Sequence, residues 1–390
     1  MKKVLFVYPH NFLELNMGTN IRVYALAKEL HAMGFKIDLF ALENFMSTYG
    51  NFEQINEAEK LIDTLYLCDY KKIKTWKKRR ERLQKGYKFL IHKKLDDWAS
   101  PYMVQQFNKI VAATEYSHIV MFYTYTAELF SPRHYVGKET TRKIYFMEDL
   151  LSVSEYIQKK SSTVGGLLDC ELHRLEYFDH IVCISYDEKI IVEKLLRGQQ
   201  KFYFLPHLVT RQETPLEREV GQKLRVTFVG YDNPYNVEGM QWFFDKVYPL
   251  LDDGMDILLV GKVNKHIACP WTNVKQIEYV EDLETIYRHT DVVICPLLNG
   301  TGMKIKVVEA MSHAIPVVCT PRGVDGFPDK TCNGCLVAES AVEFADYLNR
   351  LALFPDFYHL CQERVVSYFD RVLGCWDRHR KLLADIFAYD

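Results

Sequence analysis

The sequence predicts an α/β protein of two domains, each built on a doubly wound parallel sheet. At 390 residues the chain is long enough for two domains of ordinary size. Short apolar runs alternate with segments of helical periodicity in both halves, which is typical of parallel sheets covered by helices. A composition of 48% hydrophobic and 26% charged residues is that of a globular protein and gives no reason to expect a disordered tail.

The first domain, predicted over residues 1–210, opens with a strand, a loop, a helix and a second strand. We place the first strand over 3–8, the helix over 21–33 and the second strand over 37–41. Gly18 and Thr19 lie in the loop, which would face a ligand or form a simple turn. This unit lacks the three-glycine dinucleotide fingerprint, so it does not favour a nicotinamide cofactor. The later predicted elements are strands over 119–125, 144–147 and 202–205, a mobile loop over 161–166 and a helix over 172–178.

Two carboxylates, Glu148 and Asp149, directly follow the predicted strand over residues 144–147. Residues just past the carboxyl end of a parallel strand point towards the ligand edge of an open sheet. These side chains therefore either contact an acceptor or cap the next helix.

The second domain is predicted over residues 223–373, after a polar linker over 211–222 that contains Pro215. Its alternating elements again indicate a parallel sheet. The predicted strands span 225–229, 257–260, 276–279, 292–297 and 316–320, and the last predicted helices span 341–351, 358–369 and 376–387.

A glycine-rich loop joins the strand over 292–297 to a helix predicted over 303–313. Its glycines allow positive φ and close approach of a ligand to the backbone. The helix N-terminus would point at the carboxyl edge of the sheet, where free amides and the helix dipole suit a phosphate. The residues expected around that ligand are Asn299, Gly300, Thr301, Gly302 and Met303.

Two cations and one carboxylate follow in this predicted helix. Lys304 and Lys306 would oppose the helix dipole unless an anion lies beside them. Glu309 falls near the same face, within reach of ribose hydroxyls. The set fits a nucleoside diphosphate, and the alternative is a glycine turn before a surface helix with an ordinary Lys–Glu pair.

These motifs resemble the donor-binding core of glycosyltransferase family 4, the retaining, nucleotide-sugar-dependent enzymes with the GT-B fold. The resembling run is GTGMKIKVVEAM over residues 300–311, followed by IPVVCT and GVDGF. Other positions match the same family less densely. They are Gly230, Tyr279 and Val280 in the donor domain, and Gly18, Thr19 and Arg22 in the acceptor domain.

The resemblance implies two Rossmann-like domains that face each other across a cleft, with helix 374–390 packing back on the first domain. A hexose would move from a nucleoside-diphosphate sugar, with a UDP- or GDP-sugar as the expected donor, to a hydroxyl of a glycan, a lipid-linked glycan or a protein. Lys304, Lys306 and Glu309 would then act on the diphosphate and ribose. The sequence shows no acidic metal-binding cluster, so we expect a reaction that uses neither metal nor cofactor.

The sequence departs from the family pattern at two places. The first of two usual glutamates is replaced by Thr301, so the usual contact to the donor hexose is not expected there. The stretch 231–236 contains no cation, although the family often has an Arg and a Lys after this strand. Lys304 and Lys306 are therefore the candidates for neutralising the leaving group.

A strongly basic stretch runs over residues 71–94, with the single acid Glu81. Its apolar residues recur at helical spacing, so an amphipathic helix or helix pair is predicted. An anionic membrane or acceptor is the favoured partner; a solvated face or contact with RNA are the alternatives. The cations are Lys71, Lys72, Lys74, Lys77, Lys78, Arg79, Arg80, Arg82, Lys85, Lys88, Lys93 and Lys94.

Location and function class complete the sequence-based expectations. No signal peptide or membrane-spanning run is found, and ten scattered cysteines favour a reducing, cytoplasmic location, with peripheral contact at the inner membrane face. Two other functions stay open: a GT-B nucleotide-sugar epimerase, and a non-catalytic module that binds membrane or nucleic acid through the basic stretch.

Overall fold

The computed structural model describes residues 2–15, 17–46, 48–84, 95–159, 164–217 and 221–388. Two compact units share the chain, one formed by Met1–Leu205 with His379–Asp390 and the other by Pro206–Arg378. The first unit is therefore discontinuous in sequence, whereas the second is continuous. Among the described residues, no helix combines the length and the apolar character that crossing a membrane requires.

The segment predicted as a linker, 211–222, contacts the second unit where the structure describes it; residues 218–220 lie outside the described part. The backbone N–H of Gln212 donates to the carbonyl of Ser312, and Arg211 pairs with Asp370 at 3.0 Å. These contacts lie within the second unit, so residues 211–217 form part of its surface.

The first unit contains, within the described residues, a seven-stranded parallel sheet of order β3-β2-β1-β4-β5-β6-β7. The order reverses beside β1, so ligands are expected near the carboxyl ends of β1 and β4. Its strands are β1 (Lys3–Val7), β2 (Lys36–Glu43), β3 (Thr64–Asp69), β4 (His118–Met121), β5 (Arg142–Met147), β6 (His180–Cys183) and β7 (Lys201–Phe204).

Helices connect these parallel strands. Two expectations were wrong here: Gly18 and Thr19 begin the first helix instead of forming a loop, and Gly165 begins a helix where a mobile loop was predicted. The rest of that predicted loop, residues 161–163, lies outside the described part. The helices are α1 (Gly18–Ala32), α2 (Phe52–Glu59), α3 (Tyr70–Gln84), α4 (Pro101–Ala113), α5 (Leu151–Lys159), α6 (Gly165–Leu175) and α7 (Tyr186–Leu195).

The core of the first unit forms because its central strands are apolar on both faces, as expected for a sheet covered by helices on both sides. Residues 379–388 complete this core. Phe387 is buried against Phe35 and His118, with ring centroids 5.8 and 5.1 Å apart. Arg142 also donates to the carbonyl of Ala388.

The second unit contains, in the part described, a six-stranded parallel sheet of order β10-β9-β8-β11-β12-β13. Its order reverses beside β8. Pro296 follows β11 and has no N–H for the sheet, which explains why this strand is shorter than predicted. The strands are β8 (Leu224–Val229), β9 (Met255–Val260), β10 (Val274–Ile277), β11 (Val292–Cys295), β12 (Val317–Cys319) and β13 (Leu336–Val337).

Several helices of the second unit begin after polar residues that cap them. Asn233 accepts a hydrogen bond from the backbone N–H of Asn236, and Ser340 accepts one from that of Glu343. The boundary between the units falls within the last helix. The helices are α8 (Pro234–Trp242), α9 (Leu283–Tyr287), α10 (Ile305–Ser312), α11 (Ala341–Leu353), α12 (Pro355–Tyr368) and α13 (Trp376–Ile386).

Candidate functional site

The glycine-rich loop connects β11 to α10 at the carboxyl edge of the second sheet. Gly300 has φ +127° and Gly302 has φ +68°, a region that other residues rarely adopt. Gly326, in the GVDGF segment, packs on this loop: a Cβ atom there would lie 3.2 Å from the Cα of Met303. The sequence therefore needs glycine at these places to fold the loop against α10.

Lys304 is the cap residue of α10, not part of its first turn as predicted. Its backbone is extended, and its ammonium group turns back to donate to the carbonyls of Thr301, at 3.0 Å, and Gly302, at 2.8 Å. The side chain is buried, with 8% of its surface exposed. Lys304 thus holds the loop together from inside.

Lys306 lies in the first turn of α10 and is half-buried. Its ammonium group donates to the side-chain oxygen of Asn236 at 2.8 Å and lies 4.0 Å from the centre of the Phe228 ring. Burial lowers the pKa of Lys306 to about 8. Asn236, in α8, in turn donates to the carbonyl of Tyr231, so Lys306 links α10 to α8 and, through Asn236, to the loop after β8.

Glu309 lies one turn further along α10. It is half-buried, and Tyr287 packs beside it and donates its hydroxyl to the carboxylate at 2.9 Å. Burial raises the pKa of Glu309, while Tyr287 and Lys306 act in the opposite direction. The carboxylate is thus positioned by a neighbour from α9.

Two glycines bring the ends of β8 and β9 together. Gly261 has φ +108°, and a Cβ atom there would lie 2.2 Å from the carbonyl oxygen of Gly230. No other residue fits this contact. Lys262 follows immediately and is exposed, with its ammonium group 3.3 Å from the hydroxyl of Tyr231 and 5.0 Å from the centre of its ring.

Lys262 was not among the predicted site residues, although it follows the Leu-Val-Gly run at the end of β9. The sequence shows no cation in the stretch 231–236, but the sheet supplies one from the neighbouring strand. Strand pairing between β8 and β9 was the signal that could have located it.

The remaining predicted donor residues lie at the same edge of the sheet. Tyr279 lies past the end of β10, not within the strand, and is 79% exposed, while Val280 is half-buried. Asn299 donates to the carboxylate of Glu238 in α8 at 3.0 Å, which anchors the start of the glycine loop.

The predicted acceptor residues of the first unit form a largely buried group. Arg22 is 2% exposed, pairs with Glu148 at 2.9 Å, and donates to the carbonyls of Met147 and Leu205. It therefore joins the ends of β5 and β7 and is not placed to contact a ligand directly. Burial raises the pKa of Glu148 and the charge of Arg22 opposes that rise.

Other residues of this edge surround the ion pair. Tyr8 donates its hydroxyl to the side-chain oxygen of Asn20 in α1 at 2.7 Å. Thr19, in the first turn of α1, lies close to the hydroxyls of Tyr8 and Tyr123. Burial raises the pKa of the Tyr123 hydroxyl, and the charges of Glu148 and, to a smaller extent, Asp149 add to that rise. Gly18 begins α1 beside these residues.

The basic stretch forms helix α3 over its described part, and several of its cations are used structurally. Lys77 pairs with Asp96, and Arg80 pairs with Asp97 at 2.9 Å. The exposed cations of α3 are Lys71, Lys72, Lys74, Lys78 and Arg79. Residues 85–94, with Lys85, Lys88, Lys93 and Lys94, lie outside the described part, as does the side chain of Arg82.

Comparison with known proteins bears on both units. Residues 223–353 match the family model described as "Glycosyl transferases group 1". A protein of Klebsiella pneumoniae, described as an uncharacterized 44.6 kDa protein in the cps region, is 26% identical over 201 residues, which cover 45% of this chain and 52% of that protein. The chain thus spans about half the length of the curated relative it matches.

Similar solved structures extend over the whole chain. Sucrose-phosphate synthase from Thermosynechococcus elongatus superposes with a TM-score of 0.70 at 14% identity, over 99% of this chain and 98% of that one. The fold is GT-B. S. aureus TarM, solved with UDP, has a TM-score of 0.68 at 11% identity over 99% and 100% of the chains. Anabaena HepE, solved with UDP and glucose, has a TM-score of 0.68 at 13% identity over 99% of each chain.

The family model thus covers part of the second unit, and the solved structures share the GT-B fold with the whole chain. The predicted donor residues all lie within residues 223–353. Within the ranges that the structure describes, no group of three or more His, Cys, Asp or Glu side chains is arranged to hold a metal ion.

Proposed function

We propose that this chain is a retaining glycosyltransferase that moves a hexose from a nucleoside-diphosphate sugar to an acceptor hydroxyl. The second unit binds the donor and the first unit binds the acceptor. The group 1 match over residues 223–353 supports the transferase class. TarM and HepE, both solved with UDP, support a UDP-sugar as the first donor to test, with a GDP-sugar next.

The observation that most supports this proposal is a set of three lysines at one edge of the second sheet. Lys262, Lys304 and Lys306 have hydrogen-bond partners that are neutral: a phenol, two carbonyls and an amide. An ammonium group without a direct carboxylate partner is stabilised when an anion binds. A diphosphate at the glycine loop supplies that charge.

The chemistry follows from where charge develops. When the bond between the hexose C1 and the diphosphate oxygen breaks, negative charge grows on the leaving phosphate. Lys306, fixed by Asn236, and the exposed Lys262 stabilise that charge, and Lys304 keeps the loop amides aligned. Glu309 accepts hydrogen bonds from the ribose. Because these lysines supply the positive charge, we expect the reaction to need neither metal nor cofactor.

The first test is nucleotide binding by the whole chain. UDP, GDP, dTDP and ADP are compared by thermal shift, with inorganic pyrophosphate as a control for diphosphate alone. A ligand that binds only the folded state raises the melting temperature. We expect one nucleoside diphosphate to exceed pyrophosphate; no shift with any of the four would contradict the proposal.

The second test separates transfer from epimerisation. A transferase releases the nucleoside diphosphate as it glycosylates an acceptor, whereas an epimerase converts the nucleotide-sugar and releases none. We therefore expect diphosphate release that depends on an added acceptor. The anomeric proton coupling in the product then tests retention of configuration.

The acceptor side of the proposal includes an anionic membrane surface. Lys71, Lys74 and Lys78 lie at helical spacing on α3, exposed together with Arg79. A lipid-linked acceptor at the inner face of the cytoplasmic membrane is anionic and would be attracted to this face. We therefore propose a cytoplasmic enzyme that contacts the membrane peripherally through α3.

A further inference from the structure

The carboxyl edge of the first sheet is lined with aromatic side chains. Tyr8 follows β1, Phe45 lies past β2, and Tyr123 and Tyr125 lie past β4. Trp98 comes from the segment before α4. In open parallel sheets this edge, beside the point where the strand order reverses, is where ligands bind.

The rings contact each other in a closed series, which we term the aromatic circuit: Tyr8, Tyr123, Tyr125, Trp98, Phe45 and His10. Three successive pairs are stacked, with centroid distances of 6.0, 6.2 and 4.8 Å and interplanar angles of 16°, 25° and 16°. The series closes through contacts at 5.1, 5.2 and 5.4 Å. Each ring therefore fixes the orientation of the next.

The aromatic circuit has a buried side and a half-exposed side. Tyr8, His10 and Trp98 are buried, with 0%, 7% and 8% of their surfaces exposed. Tyr123 and Tyr125 are half-buried, although neighbours pack against them from α5 and α6. The half-exposed rings are thus held rigidly by buried ones, so a ligand would meet a surface that is already ordered.

The charges at this edge are matched inside the protein. The Arg22 guanidinium pairs with the Glu148 carboxylate at 2.9 Å, and both side chains are buried. Lys77 of α3, which lies beside the circuit, is likewise paired: it contacts the carboxylate of Asp96, which also accepts a hydrogen bond from the Trp98 indole. These charged groups beside the circuit are thus paired with each other, and its rings offer a neutral ligand an apolar surface.

We propose that the aromatic circuit binds a pyranose ring of a carbohydrate acceptor. A pyranose has C–H groups on its faces and hydroxyls around its rim. The C–H face would pack on Tyr123 and Tyr125, and the hydroxyls would donate to the carboxylate of Asp149. Apolar aromatic walls with a few polar groups are typical of sites for small organic ligands. This inference rests on the proposed function, since it names the class of acceptor.

The test measures saturation transfer from protein to ligand by NMR with the full chain. The sugar probes are methyl α-glucopyranoside, methyl α-galactopyranoside, N-acetylglucosamine and lactose, and UDP is measured in the same samples. The variants are Tyr125→Ala and Tyr125→Phe. Tyr135→Ala is the matched control, because Tyr135 is half-buried and stacked by Lys143 away from the circuit.

We expect at least one pyranoside to bind the wild-type protein. Its affinity for Tyr125→Ala should be roughly tenfold weaker than for the wild type, because this variant loses one aromatic contact. Tyr125→Phe and Tyr135→Ala should keep it. Thermal melts of each variant show whether the fold is intact, and Tyr125→Phe keeps the test valid if Tyr125→Ala does not fold.

Three results would overturn the inference. Either no sugar binds, or Tyr125→Ala binds sugar normally, or the wild type binds an anionic lipid probe, geranyl phosphate, and Tyr125→Ala loses that binding while sugar binding does not change. UDP binding without sugar binding would contradict this inference alone. Failure of UDP and the other nucleotides to bind would contradict the proposed function instead.

Discussion

The two units have the same kind of sheet but different chemistry at the corresponding edge. The carboxyl edge of the second sheet has glycines with positive φ and three lysines with neutral partners. The same edge of the first sheet has the aromatic circuit and a buried ion pair. The parallel sheet determines where a ligand binds, and the side chains at its edge determine which ligand binds.

The two units also differ in how their buried cations are neutralised. In the first unit Arg22 is neutralised by Glu148, and the pair supports the ends of the strands. In the second unit burial lowers the pKa of Lys306, because no carboxylate is in direct contact with its ammonium group. We propose that an anion completes the site of the second unit, whereas the buried pair of the first unit is neutralised within the protein.

The largest effect is expected for Lys306→Met. Removing a cation that stabilises the leaving diphosphate should lower kcat about 10²–10³-fold, with a smaller change in KM. Steady-state kinetics of nucleotide release would measure this. Lys275→Met, an exposed lysine of β10, is the control and should act normally. A normal kcat in Lys306→Met would mean that another cation, Lys262 first, carries out this role.

The pKa of Lys306 predicts how donor use depends on pH. The ammonium form binds the diphosphate, and burial sets its pKa at about 8. The kcat/KM for the donor should therefore be constant below pH 8 and fall tenfold per pH unit above it. In Lys306→Arg the fall should disappear, because arginine stays charged. If kcat/KM of Lys306→Arg still fell above pH 8, the titrating group would be a residue other than Lys306.

Glu309→Gln tests the ribose contact. Loss of charge-assisted hydrogen bonds should weaken UDP binding by about 1.5–3 kcal/mol, while glutamine can still accept from Tyr287 and keep the fold. Calorimetry would measure the binding free energies of UDP and of its 2′-deoxy analogue. The variant should bind the two nucleotides with equal affinity. Glu363→Gln, an exposed residue of α12, is the control. Unchanged discrimination would place the ribose elsewhere.

Lys304→Met tests whether this lysine organises the loop. It removes two hydrogen bonds to carbonyls, each worth about 1 kcal/mol, so the melting temperature should fall by roughly 4–8 °C. The melting temperature of Lys306→Met should fall by less than that of Lys304→Met, or should rise, because this variant removes a cation whose burial is unfavourable. Differential scanning calorimetry compares the two. Equal decreases in melting temperature would show that Lys304 and Lys306 contribute alike to the stability of the fold.

The smallest effect concerns α3, the region of the first unit where exposed cations outnumber their partners. Each cation near an anionic membrane contributes about 1 kcal/mol, an attraction that salt screens. Replacing Lys71, Lys74, Lys78 and Arg79 by Ser should abolish sedimentation with anionic liposomes and leave UDP binding intact. Wild type should not sediment with neutral liposomes or at high salt. Equal behaviour with both liposome types would leave α3 as an ordinary solvated face.

The parallel-sheet fold could be predicted because its evidence is local in sequence. Apolar runs of four to six residues and helical periodicity identify buried strands and covering helices without knowledge of tertiary contacts. Boundaries were less accurate where a backbone feature ends an element, as Pro296 does for β11. The start of α1 at Gly18 was missed because glycine usually indicates a turn.

The helix that carries two of the predicted site residues was predicted, but the partners of those residues were not. Lys306 and Glu309 lie in α10, but their contacts with Asn236 and Tyr287 come from other elements. Lys304 was expected in the helix, and its turn back onto the loop depends on two positive-φ glycines. The ion pair of Arg22 with Glu148 joins residues 126 positions apart, which no local pattern reveals.

The discontinuity of the first unit has a consequence for how the chain is made. During synthesis, the seven strands of this unit leave the ribosome long before residues 379–388, which supply Phe387 to its core. The second unit, continuous in sequence, can be complete before the first. Domains usually fold in the order in which they are synthesised, but here the earlier one is finished last.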